Sequence, residues 1–261
     1  MRYRKCITGL LSALLLAGCA AVSDREKQLN SKENLAAAAE ANAKLGIEYL
    51  REGNYELSLQ KLEKALQLDP DLPAAHDAIA VLYERVGDTK KAEQHYKKSL
   101  RLQPDSARGH NNYGQFLCLQ GRYAAAEEQF LAAANNPFYD AIPVALTNAG
   151  VCAGRIPDAE KAEKYFRMAI DKAPDFAPAL LQMSILNFSR DNYLSARAYM
   201  QRFEAAASHS AESLWLAIRI EYALHDYGAW DKYAGMLHKG FPDSEQAALL
   251  QEWENERRPV R

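Results

Sequence analysis

Cysteine, proline and glycine are all scarce in this chain, and no charge of one sign dominates it. Four cysteines among 261 residues are too few for a disulfide-built scaffold. Ten prolines and 13 glycines exclude a collagen-like or low-complexity disordered chain. Lys and Arg sum to 32 against 34 Asp and Glu, so the basic footprint of a nucleic-acid protein is missing. Charged residues are a quarter of the chain, which excludes a multi-span membrane protein. No G-x-S-x-G, P-loop, HExxH or dinucleotide fingerprint occurs, so no enzyme class is indicated. What the chain has in quantity is apolar residues, 48% of the total and rich in Leu and Ala. That is enough for one large core or a long run of small ones.

The N-terminus carries a basic stretch, Arg2, Arg4 and Lys5, then a run from Ile7 to Ala17 that is apolar or small. A bilayer span needs about 20 such residues, so this run is the length of a signal-peptide core. It ends in Leu16-Ala17-Gly18-Cys19, which resembles the bacterial lipobox. Small residues admit the scissile bond to a peptidase within the membrane, and the thiol accepts diacylglycerol through a thioether. Residues 1–18 are therefore expected to be removed, taking the formal charge from −2 to −5. Cys19 is expected to carry diacylglycerol and an N-acyl chain, with no other cofactor. Lipoprotein sorting rules keep chains with Asp after the Cys at the inner membrane. Ala20 stands there, which implies the periplasmic face of a Gram-negative outer membrane. The route there is the general lipoprotein export machinery. Residues 19–34 read as lipidated Cys plus flexible tether.

Beyond the tether the chain repeats itself. Small residues recur at Gly46, Ala80, Gly114, Gly150 and Ser184, at gaps of 34, 34, 36 and 34. Twelve residues on, Ser58, Ala92, Ala126, Ala162 and Ala196 keep the same gaps. Large residues follow at Leu62, Tyr96, Phe130, Phe166 and Met200. Glycines at 53, 87 and 121 suit turns, and Pro70, Pro104 and Pro174 close units. This is the tetratricopeptide pattern. It predicts an all-α superhelical solenoid over 35–261, with helix-turn-helix units at 39–72, 73–106, 107–140, 143–176, 177–210 and 211–244. The small columns let paired helices approach, and the large column is expected to fill the gap toward the next unit. Pro157 interrupts the fourth turn. Ile218 and Trp230 occupy the small columns of the sixth unit and predict a wider helix pair there. Residues 243–257 read as a capping helix.

Chemistry-bearing residues are scattered on this reading. Cys118 and Cys152 fall at positions 12 and 10 of successive first helices. Helices of neighbouring units lie about 10 Å apart, beyond disulfide reach without distortion, which favours two free buried thiols over a disulfide. His76 and His110 share a column but stand a full unit apart. His95, His209, His225 and His238 form no constellation, and no metal site is expected.

What remains is a surface for another polypeptide. In the tetratricopeptide family the first helix of each unit lines the groove. Here that face offers Ile47, Leu50 and Arg51, then Val81 and Arg85, then Asn111 and Gln115, with Leu181, Ile185 and Phe188 in the fifth unit. Ile47 and Leu50 form an apolar patch that either receives a partner segment or is covered by residues 35–45. The lipobox, the tether, six repeats and the stretches 45–55 and 110–118 together resemble the PilF/PilW family of type IV pilus lipoproteins. The resemblance implies a monomeric, non-enzymatic pilotin. Such a protein binds secretin subunits in its groove, brings them to the outer membrane and aids their multimerisation. The alternatives are a scaffold of barrel insertion or a cell-wall synthesis regulator.

Overall fold

The structure, a computed structural model, describes residues 31–155 and 158–257. Among them there are thirteen helices and no strand. The first pair is α1 (31–51) and α2 (Tyr55–Leu68), the second α3 (Pro73–Arg85) and α4 (Thr89–Leu102). Then come α5 (Ala107–Leu119) with α6 (Tyr123–Ala134), and α7 (Ile142–Arg155) with α8 (Ala159–Lys172). The last pairs are α9 (Ala177–Ser189) with α10 (Tyr193–Ala206) and α11 (Ala211–Ala223) with α12 (Tyr227–Gly240), followed by α13 (Glu245–Arg257). Cys19, the signal residues and Pro157 lie outside the described residues. Helix is already present at 31, so 31–34 are not tether. The alanines at 36–39 that follow have the highest helix propensity of any residue and favour that extension.

The chain forms two compact units, one through Gly109 and one from His110, the boundary falling in the first turn of α5. In both units, paired helices meet where a side chain is missing. A Cβ on Gly46 would lie 2.6 Å from Leu62 Cγ, and one on Gly114 would lie 2.8 Å from the Phe130 ring. Gly150 is covered in the same way by Phe166. Each large residue therefore sits on the glycine of its own pair. Leu62 also belongs to a core with Ala75, Ala78 and Ile79 of the next pair. Two buried serines fasten the same crossing. Ser58 Oγ donates to the Gly46 carbonyl at 2.8 Å, and Ser184 Oγ donates to the Ala196 carbonyl at 2.9 Å.

The turns between paired helices need a left-handed residue. Gly53, Gly87 and Gly121 supply it, with φ of 77°, 84° and 74°. Asp191 and His225 hold the same position at φ 57°, a conformation that strains an L side chain. The next residue often caps the second helix. Asn54, Asp88 and Asp226 each accept a backbone N–H three residues on. In the second unit Arg197 donates through Nε to the buried Glu221 at 3.1 Å, and it also reaches Asp226. Burial nevertheless raises the Glu221 carboxyl above the ordinary range, outweighing the guanidinium that lowers it.

Ile218 is fully buried, and Trp230 packs on the core that also holds Ala247 and Leu250 of α13. The large side chains of the sixth pair are thus accommodated beneath a thirteenth helix. Ser244 starts that helix by accepting the Ala247 N–H at 3.1 Å. Because His225 is strained where glycine is not, His225→Gly is expected to raise the unfolding free energy by roughly 0.5–1 kcal/mol. Urea denaturation of the two chains measures it.

Candidate functional site

The first-helix face of the first unit carries Ile47, Leu50, Arg51, Val81 and Arg85. Helix α1 runs unbroken from 31 to 51, so residues 35–45 do not fold back over Ile47 and Leu50. Those two side chains are half-buried instead, packed on the core of Leu62, Ile79 and Leu82. Val81 is half-buried as well, while Arg51 and Arg85 are exposed. Arg51 Nη1 donates to Glu48 at 2.6 Å in an exposed pair. Glu84 accepts the hydroxyl of buried Tyr96 at 2.7 Å, and burial pushes that phenol far above its usual range. The face therefore presents partly sunken apolar side chains edged by two arginines.

One of the two groove residues expected in the second unit proves structural. Asn111, expected in the groove, is 5% exposed and accepts from Asn148 Nδ2 at 2.9 Å, tying α5 to α7. Gln115, one turn on, is exposed. Cys118 and Cys152 are joined in a disulfide with Cα atoms 5.8 Å apart, so the expectation of free thiols is overturned. The 10 Å used against it separates helix axes. Facing Cα atoms each stand about 2.3 Å off their axis and so approach to between 5 and 6 Å. Buried Ala149 and Ala153 flank Cys152 and add no bulk to the α7 face. Reduction, or Cys118→Ser with Cys152→Ser, is expected to cost about 3 kcal/mol. Melts with and without a thiol reductant check this.

The histidines also depart from expectation. His76 Nδ1 and His95 Nδ1 lie 3.0 Å apart, with His76 Nε2 3.0 Å from the Pro70 carbonyl. Donation by Nε2–H to that carbonyl leaves His76 Nδ1 as acceptor and His95 as donor. The same nineteen-residue offset joins His110 to Gln129 at 2.8 Å. It links the fourth position of a first helix to the facing second helix, a signal present in the sequence but not read. Burial, with His76 and Lys91 nearby, pushes His95 down to about 4, and burial lowers His76 too. The unfolded imidazoles take up protons first, so stability is complete above about pH 6.5 and falls as pH drops toward 4. His95→Gln is expected to flatten the acid limb over that interval, read from chemical denaturation at stepped pH.

Leu181, Ile185 and Phe188 of α9 come together with α11 around a cleft of about 400 Å³. Trp215 and Arg219 line it from α11. The same two residues, with Leu249, Glu252 and Trp253, line a second cleft of about 330 Å³ against α13. The Arg219 guanidinium lies 4.6 Å over the Phe188 ring, and Trp215 meets Trp253 edge-on at 5.6 Å. None of the seven residues singled out on α1, α3 and α5 lines these clefts. No group of His, Cys, Asp and Glu among the described residues could hold a metal ion.

Residues 78–140 match the family described as Tetratricopeptide repeat, and 46–87 match the one described as TPR repeat. The type IV pilus assembly protein PilF of Pseudomonas aeruginosa is 30% identical over 244 residues, 94% of this chain and 96% of that protein. The chain belongs to the PilF/PilW family. A solved structure of Pseudomonas aeruginosa PilF superposes with a TM-score of 0.73, covering 86% of this chain and all of that one. The crystal structure of PilW, a widely conserved type IV pilus biogenesis factor, is 27% identical and also gives 0.73, covering 82% and 98%. Like these PilF/PilW relatives, this is an all-α tetratricopeptide-repeat protein of type IV pilus biogenesis.

Proposed function

We propose that the chain is a pilotin: a lipoprotein that binds secretin subunits of the type IV pilus and promotes their localisation and multimerisation at the outer membrane. Similarity to PilF along nearly the whole chain carries this reading. The lipobox ending in Cys19 supports an anchor of diacylglycerol and an N-acyl chain, placed by the lipoprotein export machinery on the periplasmic face. The first-unit face supports the contact surface. Ile47, Leu50 and Val81 offer apolar area, and Arg51 and Arg85 set the charge at its edge. Binding, not bond breaking, is the work of such a surface, and one copy suffices for it.

Asp at 47 or 50 would place a carboxylate against Leu62 and Ile79 and would destabilise the unit itself. The exposed arginines give a cleaner test. Arg51→Glu with Arg85→Glu is expected to fold normally and to recover at least about tenfold less secretin from solubilised envelopes. Secretin should then persist as monomers. Cys19→Ala should abolish incorporation of labelled palmitate and release the chain from membranes. Unchanged secretin recovery would remove the first-unit face from the reading. Normal pili alongside misassembled porins in a deletion strain would overturn the pilotin role.

A further inference from the structure

The two clefts lined by α9, α11 and α13 lie wholly within the second unit and share Trp215 and Arg219. Their walls are apolar side chains left in contact with solvent. Ile185 is 42% exposed and Leu249 40%. Arg219 is exposed on the same face and forms no ion pair among the described residues. Its guanidinium lies 4.6 Å over the Phe188 ring, a contact through the ring face that leaves N–H donors free. A guanidinium without an ion partner, set between apolar walls, is matched by one carboxylate, taken bidentately.

The charges around it narrow the ligand further. Glu212 stands at one end of the first cleft, seven residues before Arg219 on α11, or about 10 Å along the axis. Glu252 stands in the second cleft. Both repel a second acid on the ligand. The hydroxyls of Ser189 and Ser213 are spent on carbonyls of their own chain segments, so a multi-donor clamp for a chain terminus is missing. Apolar walls extend to both sides of Arg219, and a segment ending there would leave one side unfilled.

We propose that the α9–α11–α13 face is a docking site for an internal apolar segment of a partner protein, whose single acidic side chain pairs with Arg219 while Leu, Ile or aromatic neighbours fill the two clefts. The site is additional to the first-unit face and does not depend on the secretin reading. Its specificity rule is one acid, apolar residues on both sides, and no second acid within about three residues.

Panning a random twelve-residue peptide library against the full chain tests it. Enriched peptides are expected to carry one Asp or Glu between apolar residues. In calorimetry, Asp→Asn or Glu→Gln in such a peptide should weaken binding at least about tenfold. Against Arg219→Gln the two peptides should bind alike. Ile185→Ser should weaken both while the chain keeps its helical backbone dichroism, since the side chain is 42% exposed. Several results would overturn the proposal: no enrichment, motifs lacking an acid, or an acid preference that survives Arg219→Gln. So would self-association of the chain abolished by Arg219→Gln, which would make a second copy the occupant. Tighter peptide binding after removal of 258–261 would assign the face to the chain's own end.

Discussion

Everything in this protein depends on how closely two antiparallel helices can approach. The distance is set by the absence of a side chain at Gly46, Gly114 and Gly150, where the room is taken by Leu62, Phe130 and Phe166. Ser58 and Ser184 make the same approach, and each buried hydroxyl finds its partner in a carbonyl of the facing helix, without which its burial would be costly. Once each pair is closed, its outer ridges are available to the next pair. The repeating turn enforces the pairing from the other side. A left-handed residue reverses the chain, and a capping Asn or Asp often starts the return helix.

The sixth pair departs from this rule, and the departure creates surface. Ile218 and Trp230 are too large for the close crossing, and the core they enlarge is covered by α13. The added helix brings Leu249 and Trp253 beside Trp215 and Arg219. Loss of the small-residue pattern at the end of the array thus coincides with the aromatic clefts. The first unit carries instead a face on which Ile47, Leu50 and Val81 are already half committed to the interior.

The fold class was legible because spacing alone betrays it: three columns in one register have no other simple reading. Contacts across columns were less legible. Spacing alone points the large column toward the next pair, and the structure puts it first on the glycine of its own pair. An axis-to-axis distance disfavours a bond between Cys118 and Cys152, whereas their facing Cα atoms permit the disulfide. Asn111 looked like a groove residue because its position usually is one. The structure buries it and bonds it to Asn148 at the α5–α7 crossing. The His76–His95 contact needed the nineteen-residue offset between facing helices, which hydrophobic columns do not reveal because both positions are polar. Leu181, Ile185 and Phe188 were visible as a face, but Trp215, Arg219 and Trp253 were not. They belong to the part of the chain where the repeat decays and the register no longer predicts neighbours.

All three tryptophans of the chain, at 215, 230 and 253, converge on one spot, with Tyr222 4.7 Å from the Trp253 ring. The chain's indole emission therefore reports on the second unit alone. The first unit holds tyrosines and no tryptophan, so it could melt without any change in that light. Backbone dichroism would register both units, and any gap between the two optical signals would measure how independently the halves come apart.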